Sequence, residues 1–175
     1  MIIKETKFKD AYILIPNIFH DSRGYFFESY KKNIIENYNF IQDNQSYSIL
    51  AETLRGLHYQ KEPFAQTKLV RVLDGSIYDV IVDLRKESET FGQWQGFNLT
   101  ANGREQLLVP KGFAHGFITK EEKTRVLYKV DNYYSKEHDK GILWSDLDLN
   151  IDWGTISPIL SDKDSQHPTF KEVFK

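Results

Sequence analysis

Cysteine is missing from this 175-residue chain, and its absence excludes disulfides, thiolate metal sites and cysteine nucleophiles together. No run approaches the roughly 18 apolar residues of a membrane-spanning helix. The opening MIIKETKFKD is charged and lacks the apolar stretch of a secretory signal, so a cytoplasmic protein is the expectation. A bias to one sign of charge is lacking too. With 23 Lys and Arg against 25 Asp and Glu, the formal net charge is −2, and nothing global favours nucleic acid or an anionic membrane. Internal repeats, low-complexity tracts and Pro/Gly/Ser linkers are also absent, which leaves one domain over residues 1–175.

What is present favours strands. Apolar residues make up 40% and aromatics 14%, with 12 Phe and 10 Tyr, enough to bury a core without staples and rich in types that suit a pleated surface. Strands are expected over residues 12–16 and 25–30, on either side of a turn at His20-Asp21-Ser22-Arg23-Gly24. Ile34, Ile35 and Tyr38 fall at helical spacing behind Ser29, which predicts a short helix over residues 31–38. Residues 68–73 and 76–84 flank Asp74-Gly75, a hairpin signal. Further strands are expected over 97–100, 106–109, 117–119, 124–130 and around 140–144, with turns at Asn102-Gly103 and Pro110-Lys111-Gly112. Beyond residue 145 the pattern is irregular, with room for one short helix. Many short strands with Gly-marked turns predict an all-β jelly-roll barrel carrying one or two short helices.

Two stretches resemble the paired motifs of the cupin superfamily. Pro110-Lys111-Gly112-Phe113-Ala114-His115 matches the second motif, and His58-Tyr59-Gln60, then Lys68 and Gly75, follows the spacing of the first. Two of the four metal-ligand positions survive, His58 and His115; the other two hold Gln60 and Lys68. An ammonium among the ligands opposes a divalent cation, so the pattern argues against a metal and for a negatively charged guest. A histidine that titrates near neutrality beside a fixed cation suits proton abstraction next to a carbonyl, with the cation holding the oxyanion.

The string Leu54-Arg55-Gly56-Leu57-His58-Tyr59-Gln60, followed by Ala65-Gln66-Thr67-Lys68-Leu69-Val70, resembles the signature of the dTDP-4-dehydrorhamnose 3,5-epimerases. Five further segments match that family in order: residues 21–28, 42–44, 109–117, 127–129 and 160–164. The likeness runs from about residue 3 to about residue 168, with Thr67 and Gln45 as departures. It implies His58 as the base at C3 and C5 of a dTDP-linked 4-keto-6-deoxyhexose, oriented by Asp164, or by Asp162 if the match slips. It further implies Lys68 at the C4 oxygen and Tyr128 as the acid on the opposite face. His115 and Asp79 would line the same barrel beside Gln60. Arg23, Arg55 and Lys163 would hold the diphosphate, and Phe26, Glu28 and Tyr134 the thymine, with Gln42 and Asn44 as helpers. The resemblance implies no cofactor and no metal, because the 4-ketone itself acidifies both neighbouring C–H bonds. It also implies a homodimer in which the N-terminal segment reaches a partner's site.

Other polar and aromatic residues carry plainer readings. His20, His138 and His167 read as satisfied core or surface histidines, Trp94, Trp144 and Trp153 as core or interface aromatics, and Lys31-Lys32 and Glu121-Glu122-Lys123 as solvated faces. The competing functions are an epimerase acting at one centre only, a metal-dependent cupin and a non-catalytic sugar-nucleotide binder. His58 and His115 motivate the metal reading while Gln60 and Lys68 oppose it, and the binder has no use for a His58–Lys68–Tyr128 set.

Overall fold

The computed structural model describes residues 1–34 and 38–174. Two antiparallel sheets face one another. The larger runs β1 (Ile2–Glu5), β2 (Tyr12–Ile15), β10 (Gln106–Val109), β7 (Lys68–Asp74), β12 (Thr124–Val130) and β5 (Gln42–Ser48). The smaller runs β13 (Asp139–Gly141), β6 (Leu54–Gln60), β11 (Phe113–Thr119), β8 (Ser76–Asp83) and β9 (Trp94–Thr100). A separate hairpin, β3 (Phe19–Asp21) with β4 (Gly24–Phe26), stands apart from both. From β5 onward the chain passes back and forth between the two sheets, with β8 and β9 the one consecutive pair that stays in the same sheet. This is a jelly roll, the architecture that the short strands predict.

Asp74-Gly75 does not make the predicted hairpin. β7 is hydrogen-bonded to β10 and β12, whereas β8 is hydrogen-bonded to β9 and β11. A single residue separates the two strands, too few for a two-residue hairpin loop. Gly75, at φ 76°, instead turns the chain across from one sheet to the other. Residues 101–105, around Asn102-Gly103, carry it back between β9 and β10.

Other local expectations shift at their edges. The predicted helix over 31–38 is a 3-10 turn at Lys32–Ile34; residues 35–37 lie outside the described residues, and Tyr38 is not helical. The strand expected over 25–30 stops at Phe26, and that expected over 117–119 begins at Phe113. The one near 140–144 is Asp139–Gly141. β1, β5 and β6 carry no clear strand signature, since Gln42–Ser48 is polar throughout and Leu54–Gln60 contains a glycine. The described helices are the 3-10 turns Lys32–Ile34 and Asp164–Gln166 and one α-helix, α1 (Phe170–Phe174), and none is long and apolar enough to cross a membrane.

Alternation along the strands divides the side chains into three layers. Between the sheets, Val70, Val72, Leu107, Val109 and Val126 of the larger one meet Ile77, Ile81, Leu99, Phe113 and Phe117 of the smaller. Each such side chain contributes roughly 1.5–3 kcal/mol by leaving water. The outer face of the smaller sheet presents Leu57, Val80, Val82, Ala114 and Ile118 to Ile142, Leu149 and Trp153 of the C-terminal segment. There Trp94 donates its indole N–H to the Leu149 carbonyl at 2.8 Å and Trp153 to that of Trp144 at 2.9 Å, so both indoles are satisfied as they pack. The outer face of the larger sheet buries Leu14, Leu69 and Leu108 under Tyr30, Tyr38 and Phe40. The apolar filling of the barrel stops partway along, and the inward positions beyond it are polar.

Candidate active site

The polar end of the barrel is made by continuing the same inward faces. His58 on β6, and His115 and Asp79 on β11 and β8, project from the smaller sheet; Lys68 on β7, Tyr128 on β12 and Asn44 and Ser46 on β5 come from the larger. Two adjoining hollows of about 270 and 230 Å³ open here and share His58, Lys68, Tyr128 and Lys163, forming two lobes of one slot. Arg55, Ser46, His115 and Ser161 line the first lobe. Gln42, Asn44, Gln66, Tyr134 and Asp139 line the second.

Two histidine–aspartate pairs stand on the smaller sheet, where His58 and His115 are opposite one another in register. His58 Nε2 is 2.5 Å from Asp164 Oδ1, with the two side chains 29% and 6% exposed. Asp164 opens the 3-10 turn Asp164–Gln166, and its amide donates to Ser161 Oγ at 3.1 Å. The segment is tied down on both sides, by Leu54 N–H donating to the Ile159 carbonyl at 2.9 Å and Leu143 N–H to that of Pro168 at 2.8 Å. Burial pushes the Asp164 carboxyl upward, but its bond to His58 and the charge there outweigh this and hold it below the usual carboxylate range. When the imidazole is neutral, a carboxylate at Nε2 places the ring proton there and leaves Nδ1 with a free lone pair. The second pair is deeper. His115 Nε2 is 2.9 Å from Asp79 Oδ2, the side chains are 8% and 0% exposed, and Asp79 Oδ1 has no hydrogen-bond partner.

Lys68 borders both lobes and is half-buried in the barrel wall. Burial pushes its ammonium down to about 8, against the opposing charges of Asp79 and Asp139. Tyr128 is pushed up, first by burial and further by Asp139, with Arg55 pulling the other way, so at neutral pH its phenol keeps its proton. At the mouth, Lys163 Nζ lies 2.5 Å from Asp139 Oδ2, to which Tyr134 also donates at 3.1 Å. Burial disfavours the Lys163 charge, yet the bond to Asp139 prevails and holds the ammonium above its ordinary value.

Most residues singled out in the sequence therefore converge: His58, Lys68, Tyr128, Asp164, His115, Arg55, Lys163, Gln42, Asn44 and Tyr134 all face one slot, with Asp79 bonded directly behind His115. Between the two carboxylates open in the sequence, Asp164 is the one bonded to His58. Gln60 also borders the slot, but its amide is engaged in the wall: it donates to the Phe64 and Tyr133 carbonyls and accepts from the Ser135 amide. Arg23, Phe26 and Glu28 are not brought to this slot. They lie on and just after the β3–β4 hairpin, exposed, with Arg23 paired to Asp21 at 2.6 Å and Glu28 to Lys31 at 3.6 Å. His58 and His115, at the two surviving cupin ligand positions, both line the first lobe, each bonded through Nε2 to its own aspartate.

Sequence reasoning missed Asp139 and His167. Asp139 sits in the charged run from Lys136 to Lys140, which reads as solvated surface. His167 reads as an unremarkable histidine, yet its Nε2 lies 3.5 Å from Asp164 Oδ1 and its ring meets that of His58 edge-on, centroids 5.4 Å apart. The available signal is its position three residues after Asp164, because side chains at that spacing overlie one another on a 3-10 turn.

A jelly roll whose polar end holds a histidine–aspartate dyad, a buried lysine and a neutral tyrosine defines a class: enzymes that move protons at carbon beside a carbonyl. The particular family follows from comparison. The family model for dTDP-4-dehydrorhamnose 3,5-epimerase matches residues 5–172, and the chain belongs to that family. The crystal structure of dTDP-4-dehydrorhamnose 3,5-epimerase from Bacillus anthracis, with TDP and PPi bound, superposes with a TM-score of 0.94 at 57% identity, covering 97% of this chain and 99% of that one. The enzyme of that name from Shigella flexneri is 47% identical over 99% of this chain and 98% of its own length. A Legionella pneumophila epimerase in complex with dTDP-4-keto-L-rhamnose shares 39% identity at a TM-score of 0.92, covering 97% and 93% of the two chains.

Proposed function

We propose that the protein inverts C3 and C5 of dTDP-4-keto-6-deoxy-D-glucose to give dTDP-4-keto-L-rhamnose, a step in making dTDP-L-rhamnose. One observation carries this reading: His58 rises from the smaller sheet and Tyr128 from the larger, so a base and a protonated acid flank one slot from opposite walls. Inversion needs that arrangement, since the proton must leave one face of the carbon and return to the other.

His58 Nδ1 takes the proton from C5 or C3, and the electron pair of the broken C–H bond moves onto the C4 oxygen as an enolate. Lys68 holds that oxygen. Its ammonium is worth more as the charge grows and in the desolvated barrel, so it favours the transition state over bound ketone. Tyr128 then returns a proton to the opposite face while the ketone re-forms, and His58 and Tyr128 exchange with solvent before the second centre reacts. The ketone supplies the acidity, so the proposed reaction needs neither an external oxidant nor a metal. Arg55 and Lys163 suit the diphosphate, and Tyr134, Gln42 and Asn44 the base and sugar edges.

Arg23, Phe26 and Glu28 fit the same reading if the β3–β4 hairpin serves a second copy of the chain. Phe19, Tyr25 and Phe26 on that hairpin and Ile2 and Ile3 on β1 are all exposed, an apolar surface of the kind that pairs protomers. We therefore propose a cytoplasmic homodimer whose slots are completed by the partner's hairpin.

The test is incubation with dTDP-4-keto-6-deoxy-D-glucose in deuterated water, followed by NMR at C3 and C5. Deuterium at both centres with an inverted product is expected. Exchange at one centre only would reduce the enzyme to a single-centre epimerase, and none at all would overturn the reading.

A further inference from the structure

His167 lines a second hollow, of about 530 Å³, which adjoins the slot through Tyr59, Asp139 and Lys163 and is bordered on its far side by Lys140, Gln166 and Glu172. Its ring lies on the backbone of Gly141, where a Cβ would run into it, and Gly141 is opposite His58 in the β6–β13 register. The side chain is 9% exposed, and Nε2 points at the same Asp164 oxygen that His58 uses, 3.5 Å away, with no hydrogen bond of its own. Burial, and after it the neighbouring charge of His58, push the His167 imidazole below its ordinary value, so near neutrality it is an uncharged ring and not a competing cation. His167 therefore packs against both members of the pair, beside the Asp164 oxygen that His58 uses and edge-on to the His58 ring.

We propose that His167 is a positioning residue for the base: its ring stands between the outer hollow and the His58–Asp164 pair, keeps water off the shared Asp164 oxygen and holds the two side chains together. A carboxylate oxygen kept dry directs its charge at one partner, whereas water entering from the outer hollow would share its lone pairs and weaken its hold on the imidazole. His167 touches neither sugar nor nucleotide in this role. The kinetic part of the argument rests on the epimerase reading; the spectroscopic part does not.

Three variants separate the ring's volume from its N–H. His167→Ala removes both, His167→Phe keeps the volume, and His167→Gln places an amide N–H where Nε2 stands. His167→Ala is expected to lower kcat about tenfold with KM within about twofold, as a misplaced catalytic group does. His167→Phe is expected to restore most of the loss and His167→Gln part of it. Without substrate, the His58 N–H held by Asp164 should give a far-downfield proton resonance that is sharp in the parent and in His167→Phe. It should be broadened by water exchange in His167→Ala, with the thermal midpoint of each variant measured alongside. An unchanged resonance in His167→Ala would overturn the proposal even if the substrate assignment stood. So would a His167→Ala defect that appears in KM and thermal midpoint but not in kcat. A parent enzyme with no epimerase activity would strike at the function instead, leaving the resonance to decide this point.

Discussion

The two histidine–aspartate pairs are built from the same groups on the same sheet, and burial sends them to different tasks. His58 faces the slot and takes its carboxylate from 106 residues further along the chain, on a segment packed over the outer face. His115 borders the same slot but is far more buried, and it takes its carboxylate from 36 residues away, on the adjacent strand β8. The first pair has a ring nitrogen available to a guest. The second ends in a carboxylate oxygen with no hydrogen-bond partner, whose charge favours the protonated form of Lys68. In the proposed reaction the more exposed pair moves the proton, and the more buried pair sets the potential in which it moves.

The largest effect that tests this contrast is loss of the base. His58→Ala is expected to slow C3 and C5 hydrogen exchange by about 10²–10⁴-fold while the barrel stays folded. His115→Ala is expected to cost about 1–3 kcal/mol of stability, by stripping Asp79 of its partner, and to spare more of the exchange. Equal losses of exchange in the two variants, read by NMR beside denaturant melts, would break the contrast.

Lys68→Met sharpens it through stability. In the unfolded chain a lysine binds its proton up to about 10.4, whereas folded Lys68 releases it near 8. Between those values the unfolded state holds more protons, so Lys68 makes stability rise with pH there, and below about 8 its burial cost is fully present. Lys68→Met is expected to gain up to about 3 kcal/mol at neutral pH, to lose most activity, and to lack the rise that the parent shows. Denaturant melts at pH 7 and 10 check the sign.

The smallest change is a shift of profile. Asp79→Asn removes a charge that keeps Lys68 protonated, so the alkaline limb of kcat/KM, near pH 8 in the parent, is expected to move to lower pH. A limb that stays in place would mean that Asp79 does not tune Lys68.

The polar end of the barrel was legible in the sequence partly through strand periodicity and partly through motif. Lys68 and Tyr128 lie on strands expected from their pattern, whereas His58 and His115 were legible through their motifs, since β6 has no clear strand signature and the strand expected over 117–119 begins at Phe113. Asp164 was legible only through family resemblance, because nothing local in Ser161-Asp162-Lys163-Asp164 says which carboxylate turns in; Ser161 and the Asp164–Gln166 turn decide it. Asp139 escaped because its partner Lys163 is 24 residues away and its surroundings look solvated; His167 escaped because nothing local shows that Asp164, three residues before it, turns in toward His58. The Asp74-Gly75 hairpin failed for a related reason: turn chemistry reports that the chain bends, while which sheet receives the next strand depends on contacts that form elsewhere.

That back-and-forth path between sheets bears on how the molecule reaches its native state. β7 and β12 are hydrogen-bonded neighbours with four strands of chain between them, and β6 and β11 likewise, so neither wall of the slot can be assembled from adjacent sequence. Non-local pairing of this kind puts folding in roughly the millisecond-to-second range, slow because loops must close before contacts reward them. A partly folded chain presents no half-built slot with residual turnover. Recovery of activity after dilution from denaturant therefore waits on closure of the whole barrel and, in the proposed homodimer, on the concentration-dependent pairing of two chains.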